Sequence, residues 1–431
     1  MDDVMAATEI VDDLVGPEGR QDPYPRYERL RAYGPVVRTG AGMLVVTGYQ
    51  EAEEVLRAPG FLVEDGQMRA ALDPGFLDHP GEYLLSSSIL QRNAPDHGRM
   101  RSLIASVFTP RRVAALAPAV TAAVDDLLDD LARRGADGTP VDFLDAFAFR
   151  LPVGVICELL GVPVEDRHLF RPLAADLTVT LEFDPDEDER AAADLAAVRL
   201  SDYFAELAAA RRADPRDDLV SALVRTADAE PDRLSDRELI ANLALLLVAG
   251  FETTGNLIGN ALARLFAHPE AAAALRDGTL DPGALVEEVL RHDPPVQLTS
   301  RLAAQDGLTA AGLPVEAGTA VLLLLGAANR DPRRYPDPGR FDPWRYQAAD
   351  GREPAGRPLS FGSGPHFCLG SQLARLEAAT ALPALLRRFP DLAPAGPAPR
   401  RTRLVLRGYG TLPVTLGPVT PAPVAPAPDG R

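Results

Sequence analysis

Apolar positions recur at the three- and four-residue spacing of amphipathic helices along most of this chain. RRVAALAPAVTAAVDDLLDDLARRG (111–135) keeps that spacing and ends on Gly135, and FLDAFAFRLPVGVICELLG (143–161) closes on Gly161. Two further helical stretches, 167–183 and 189–212, are joined by the acidic run DPDEDE at 184–189. Ser235-Asp-Arg-Glu238 has the form of a capping box, with the hydroxyl at the cap and the acid three residues on. No proline then occurs until Pro269. A helix there can extend about 45 Å at 1.5 Å per residue, enough to cross the whole protein. Shorter β-like runs at 35–46, 313–325 and 403–416 are bounded by turn residues. No internal repeat is visible. The predicted class is mainly α with small β-sheets.

Domain organisation follows from the same pass. Residues 21–417 read as one large domain with no linker. Residues 1–20 read as a flexible acidic segment, and 418–431 as a Pro/Ala-rich disordered tail. The first 20 residues carry no basic start and no continuous apolar core, which argues against a signal peptide or an N-terminal anchor. No apolar run reaches the roughly 18 residues that span a bilayer. The longest, Leu239 to Phe251, contains Asn242. A cytoplasmic protein without a membrane anchor is expected.

Charge and composition narrow the chemistry. A net charge of −18 disfavours a nucleic-acid partner. All 44 basic residues are arginine, so no Schiff-base lysine and no P-loop lysine exists. Two cysteines exclude a disulfide framework, and the six histidines form no metal-binding pair at short spacing. Cys157 lies on an apolar helix face and reads as a buried structural thiol.

Cys368 is different. It sits in FGSGPHFCLG (361–370), a glycine-bent loop followed by a helical pattern. A single thiolate is a soft ligand suited to haem iron, where the porphyrin supplies four further ligands. Glycines let backbone N–H groups approach the sulfur, and a helix starting at residue 368 or 369 would bring its positive end to it. Gly370 would let that helix pass close under a flat ring, and Phe361 would exclude water beside the ligand. A second odd feature lies mid-way along the long predicted helix, where AGFETT (249–254) sets a glycine, an acid and two hydroxyls behind a purely apolar run. Thr hydroxyls there can bond the preceding turn, and an acid with an alcohol can relay protons.

FGSGPHFCLG resembles the haem-binding signature of the cytochrome P450 superfamily, F-G-x-G-x-[HR]-x-C-x-G, at every specified position. AGFETT resembles the family's oxygen-activation motif. The resemblance spans about residues 22–417 and implies a triangular prism of helices with a β-rich lobe. It implies Cys368 as the axial ligand of haem b, with Ala249, Gly250, Phe361, Gly362 and Gly370 against the cofactor. Glu252 and Thr253 become the acid–alcohol pair. Pro95-Asp-His-Gly-Arg-Met-Arg101 resembles the bacterial H-x-R-x-R segment. By that likeness His97, Arg101, Arg301 and His366 bind the two propionates, and Arg99 faces outward. Glu288-Val-Leu-Arg291 resembles the E-x-x-R of the family, closed by Arg340 in Pro338-Gly-Arg-Phe341 as a buried ion pair.

What the resemblance implies is a monooxygenase using dioxygen and two electrons from NAD(P)H. The electrons would come through a ferredoxin and its reductase, because two cysteines cannot build an iron–sulfur site. Arg111, Arg112 and Arg345 are candidates for the docking patch, and a monomer is expected. The substrate regions read mainly apolar, with Leu85, Thr178, Leu246, Val296 and Gln297 as candidate contacts and Ser86–Ser88 as polar exceptions. They suit a lipophilic molecule such as a macrolide, polyketide, terpenoid or steroid. Phenol coupling and peroxide-driven oxidation stay open as alternatives, as do a haem-based sensor and a cysteine hydrolase using Cys368. The hydrolase is disfavoured because His366 lies only two residues away in a constrained loop.

Overall fold

The computed structural model describes residues 2–230, 232–348 and 354–417. The tail at 418–431 lies outside the described residues. The fold is built around one helix, α9 (Asp236–Ala267), packed on nearly every side. Its start is the predicted capping box: Ser235 Oγ accepts from the Glu238 amide, and the Glu238 carboxylate accepts from the Ser235 amide at 2.9 Å. Asn242, the polar interruption of its apolar run, is fully buried. Its Oδ1 accepts from the Ile89 amide at 3.0 Å and its Nδ2 donates to the Glu238 carbonyl at 2.7 Å. Gly255 and Gly259 set the packing distance to the next layer. A Cβ on either would stand 2.2 Å from Phe149 and 2.7 Å from Leu144, respectively.

The surrounding helices are α1 (Asp2–Val15), α2 (Tyr49–Arg57), α3 (Asp96–Ala105), α4 (Pro110–Ala115), α5 (Ala117–Arg134), α6 (Arg150–Leu160), α7 (Phe170–Leu177), α8 (Glu187–Ala213), α10 (Pro282–His292) and α11 (Ser371–Arg388). The stretch read as one helix over 111–135 divides at Leu116 into α4 and α5. The acidic run at 184–189 opens α8 through a second capping box, Asp186 with Glu189. Arg99, expected to face outward, pairs with Glu238 at 2.7 Å and Asp96 at 3.0 Å and ties α3 to the start of α9. α9 is long and apolar enough to cross a membrane by composition, but 72% of its most apolar window is buried inside the fold.

A five-stranded sheet flanks the helices: β1 (Val36–Arg38), β2 (Leu44–Val46), β3 (Phe61–Leu62), β4 (Thr299–Ala303) and β5 (Ala320–Leu323). Its order is β1-β2-β5-β4-β3, with β2 and β5 parallel and the other neighbours antiparallel. The N-terminal segment expected to be flexible packs here instead. Ala7, Ile10 and Leu14 of α1 are at most 2% exposed against Tyr27, Leu30 and Val37. Burying Ile10 and Leu14 contributes roughly 1.5–3 kcal/mol each, which outweighs the solubility of the acidic face.

Glu288 and Arg291 on α10 are both fully buried and joined by two bonds of 2.7 Å. The third member is Arg345, not Arg340. Arg345 Nε lies 3.2 Å from Glu288 Oε2, whereas Arg340 contributes only its carbonyl, 2.9 Å from Arg291 Nη2, and its side chain is exposed. Arg345 is thereby also removed from the expected docking patch. Burial would lower the pKa of Arg291, but the bonds to Glu288 outweigh it and hold the pKa above its ordinary value. Arg291 also donates to the carbonyl of Asn329 at 3.2 Å, and the Asn329 side chain holds the Leu359 amide at 2.7 Å and Ser360 Oγ at 2.8 Å. The ion pair thus anchors the start of the Cys368 loop. Replacing Glu288 by Gln leaves a buried guanidinium unpaired and is expected to cost about 3–5 kcal/mol. Arg340→Ala is expected to cost no more than about 0.5 kcal/mol. Urea melts of the two variants check the contrast.

Glu377 on α11 is 2% exposed, and its Oε2 has no hydrogen-bond partner. Burial alone pushes its pKa up to about 8. The folded value is above the unfolded one, so its favourable protonated state is fully present below the ordinary carboxylate range. That contribution is lost as pH rises through 8. Wild-type stability relative to Glu377→Gln should therefore fall by about 1.4 kcal/mol per pH unit across this window. Melts of both proteins between pH 5 and 8 test it; parallel curves contradict it.

Candidate active site

The loop ahead of α11 is bent by two glycines in the left-handed region, Gly362 at φ 71° and Gly364 at φ 70°. A Cβ at Gly364 would stand 2.5 Å from the Leu56 carbonyl of α2, so only glycine allows that approach. Arg57 Nε donates to Ser363 Oγ at 2.9 Å, and the Cys368 amide donates to the Phe361 carbonyl at 3.0 Å. α11 begins at Ser371 with Gly370 as its cap, two to three residues later than expected. The Cys368 thiol opens on an internal cavity. Burial raises its pKa, while the Gly370 and Ser371 amides and the Arg101 and Arg375 cations pull the other way. Arg375 stacks over Phe361 at 4.5 Å, which fixes that ring beside the sulfur loop.

That cavity, about 470 Å³, brings the sequence motifs together. Cys368, Phe361, Gly362, His366 and Arg301 line it from one side, and Ala249, Glu252 and Thr253 of α9 from another. Gly250 does not line it; its absent Cβ would face Ile156 at 3.3 Å. His97, Arg101 and Gly370 lie outside the lining residues but close to them. The His97 and His366 rings are 4.1 Å apart, Arg101 Nη2 donates to the Phe367 carbonyl at 2.6 Å, and a Gly370 Cβ would be 4.0 Å from Cys368 Sγ.

Electrostatics tests whether these residues fit a haem. Arg301 is 6% exposed and bonds only Thr299 Oγ1 at 3.3 Å and the Ser300 carbonyl at 2.6 Å. Burial alone lowers its pKa to about 10. His366 is pushed down to about 3 by burial and then by His97, Arg301 and Arg101, and His97 is lowered by burial and the two arginines. His97 Nε2 is buried without a partner. Among the described residues no carboxylate pairs with Arg101 or Arg301. A group carrying two carboxylates and an iron fits this set, because the iron would deprotonate the thiol and the carboxylates would take the cations. Among the described residues no cluster of three His, Cys, Asp or Glu offers an alternative metal site. Cys157 is fully buried in α6, where burial pushes its thiol to about 12.

On α9, Thr253 Oγ1 donates to the Ala249 carbonyl at 2.7 Å. Glu252 is not bonded to Thr253. Its carboxylate accepts from Asn256 Nδ2 at 3.2 Å and pairs with Arg401, which also donates to Asn256 Oδ1 at 2.7 Å. Arg401 is 23% exposed, so a polar chain runs from the surface to the cavity acid. Sequence reasoning missed Arg401 and Asn256, and also Glu182. The Glu182 carboxylate accepts the amides of Leu404, Val405 and Leu406 at 2.9–3.0 Å. It pins one cavity wall, 405–406, to another, 178–181.

Among the candidate substrate contacts, Leu85, Thr178 and Val296 line the cavity, whereas Leu246 and Gln297 do not. Gln297 bonds the Pro294 carbonyl at 2.8 Å and the Tyr27 hydroxyl at 3.2 Å. The hydroxyls of Ser86, Ser87 and Ser88 bond carbonyls of their own turn.

Comparison with known proteins agrees with this geometry. A family model described as Cytochrome P450 matches residues 28–278 and 283–405. The chain is 41% identical to the cytochrome P450 monooxygenase PikC of Streptomyces venezuelae, over 88% of this chain and 86% of the relative. It is 37% identical to 6-deoxyerythronolide B hydroxylase of Saccharopolyspora erythraea, over 94% and 99%. Among solved structures, the tirandamycin C-bound monooxygenase TamI aligns with TM-score 0.80 and 35% identity, over 93% and 99%. P450BioI in complex with an acyl carrier protein aligns with TM-score 0.82 and 34% identity, over 92% and 99%. Matched by the family model over most of its length and 41% identical to a named monooxygenase, this chain belongs to the cytochrome P450 family and is a monooxygenase.

Proposed function

We propose that the protein inserts one oxygen atom into a lipophilic small molecule of bacterial secondary metabolism, a macrolide, polyketide, terpenoid or steroid-like compound, by hydroxylation or epoxidation. One observation carries the reading: Cys368, Glu252 and Thr253 face the same cavity, whose remaining walls are mainly apolar. Haem b held by Cys368, with His97, Arg101, Arg301 and His366 at its carboxylates, would supply binding and reductive cleavage of dioxygen. The chain's own residues do the rest. Leu85, Val296 and Leu406 exclude water from the cavity, and the Thr178 and Thr180 hydroxyls, which donate to the Ala175 and Leu177 carbonyls at 2.7 and 2.8 Å, serve as hydrogen-bond acceptors for the substrate. Thr253 holds a hydroxyl at the cavity face of α9, and Glu252, backed by Arg401, holds the proton donor's position behind it. Electrons from NAD(P)H reach the site through a ferredoxin and its reductase, with the exposed Arg111 and Arg112 as docking contacts on an otherwise acidic chain. The protein acts as a cytoplasmic monomer. The relative named as a 6-deoxyerythronolide B hydroxylase and the solved structure holding tirandamycin C support the substrate class.

A polar pair that delivers protons predicts an uncoupling variant. Thr253→Ala should leave substrate affinity within about twofold and lower product formed per NAD(P)H by about 10–100-fold. Titrating the absorption spectrum with a panel of such lipophilic compounds, then measuring coupling with the best binder, checks both parts. Full coupling in Thr253→Ala contradicts the assignment, and a panel in which only small polar compounds bind contradicts the substrate class.

A further inference from the structure

A second cavity of about 800 Å³ shares no lining residue with the first. Its interior holds four guanidinium groups, Arg264, Arg330, Arg400 and Arg407, around a single buried carboxylate, Asp293. Arg400 Nη2 bonds Asp293 Oδ2 at 2.5 Å, Arg407 Nε bonds Oδ1 at 3.2 Å, and Arg264 Nε stands off at 3.9 Å. The other two acids that line it, Asp22 and Glu28, are exposed, and Glu28 pairs outward with Arg31. The inner wall therefore carries four positive charges against one negative charge, on a chain whose net charge is −18.

Two of the four cations do not bond the carboxylate directly. Arg264 stands 3.9 Å from Asp293; burial would lower its pKa, but Asp293 together with Tyr409 still raises it. Arg330 bonds no acid among the described residues. Arg264 Nε is buried without a hydrogen-bond partner. Among the described residues Arg330 donates only to the His292 carbonyl, at 3.1 and 2.5 Å, and to the His292 ring. Burial pulls the pKa of Arg330 below its ordinary value. His292 cannot share the positive role, because burial and Arg330 push it down to about 3. The guanidinium planes are nonetheless held in place. Arg330 stacks on Tyr24 at 3.5 Å and Arg400 on Tyr409 at 3.7 Å. Arg264 and Arg330 are half-buried, and several fixed guanidinium forks suit the oxygens of a phosphate or carboxylate.

We propose that this cavity is a binding site for a small oxyanion of two or more negative charges, borne on phosphate or carboxylate groups, held by Arg264 and Arg330 beside the Asp293 cluster. It lies on the far side of one wall from the substrate cavity: Asp293 and Arg407 face the anion site, whereas Val296 and Leu406, joined by a β-bridge, line the first cavity.

Calorimetric titration of the haem-loaded protein with inorganic phosphate, pyrophosphate and citrate, at ionic strength held constant with sodium chloride, tests the site. Saturable one-to-one binding of at least one anion is expected. It should weaken by roughly tenfold or more in Arg264→Gln, the loss of one charge-assisted bond, and disappear in Arg264→Gln/Arg330→Gln. Arg264 is partly exposed, so the single variant keeps the test open if the double variant does not fold; an unaltered haem spectrum and melting curve confirm its fold. Preference for pyrophosphate assigns the site to phosphate esters, and preference for citrate to carboxylates. No saturable heat from any of the three anions overturns the proposal, and so does unchanged affinity in Arg264→Gln.

Discussion

A single sulfur atom sets the terms for the rest of this structure. Cys368 faces a cavity, where burial raises the pKa of its thiol and nearby amides and cations oppose that rise. The loop places it there by backbone geometry. Two left-handed glycines turn the chain, the Phe361 carbonyl receives the Cys368 amide, and the cap of α11 sets the Gly370 and Ser371 amides near the sulfur. None of this is stable in isolation, because a glycine-rich loop loses much entropy on ordering. The buried Glu288–Arg291–Arg345 network supplies the anchor through Asn329, which holds Leu359 and Ser360 at the start of the loop. A charge cluster remote from the chemistry thereby fixes where the chemistry occurs.

The opposite wall obeys the same logic. α9 is apolar from Leu243 to Val248, and the polar residues that follow are placed by helical geometry. Leu245, Val248 and Ala249, then Glu252 and Thr253, recur on the cavity face. Arg401 reaches Glu252 from a loop 149 residues further on, so the cavity acid is buried without being unpaired. The cations at Arg301 and Arg101 show the converse arrangement: among the described residues they bond a hydroxyl and carbonyls but no carboxylate. Arg301 lines the cavity that Cys368 faces, and we propose that both cations meet the carboxylates of the cofactor there. A second excess of positive charge lies away from that cavity, where Arg264, Arg330, Arg400 and Arg407 gather around the one buried carboxylate of Asp293.

What could be read from the sequence was local. The loop motif, AGFETT, E-x-x-R and the capping box at Ser235 each fit within ten residues; the capping box states its own geometry, and the other three were legible through the resemblance to the cytochrome P450 superfamily. What could not be read depended on distance or on one-residue phase. Leu246 was one position off the cavity face of α9, about 100° around the helix. Gln297 sat between Val296 and Leu298 in extended chain, where neighbours point to opposite sides. Arg340 and Arg345 are five residues apart in an irregular turn, and no periodicity tells which guanidinium turns inward. Arg401, Asn256 and Glu182 act through contacts that no local pattern announces. The N-terminal helix was a readable signal passed over: Ala7, Ile10 and Leu14 follow helical spacing, hidden by the acidic composition around them.

The central claim is that Cys368 is the thiolate ligand of a haem. The most direct test is the absorption spectrum of the purified, dithionite-reduced protein under carbon monoxide. The account predicts a strongly red-shifted Soret band of the thiolate-ligated type, absent from Cys368→Ala. A reduced spectrum of the ordinary histidine-ligated type, or one that Cys368→Ala leaves unchanged, would contradict it.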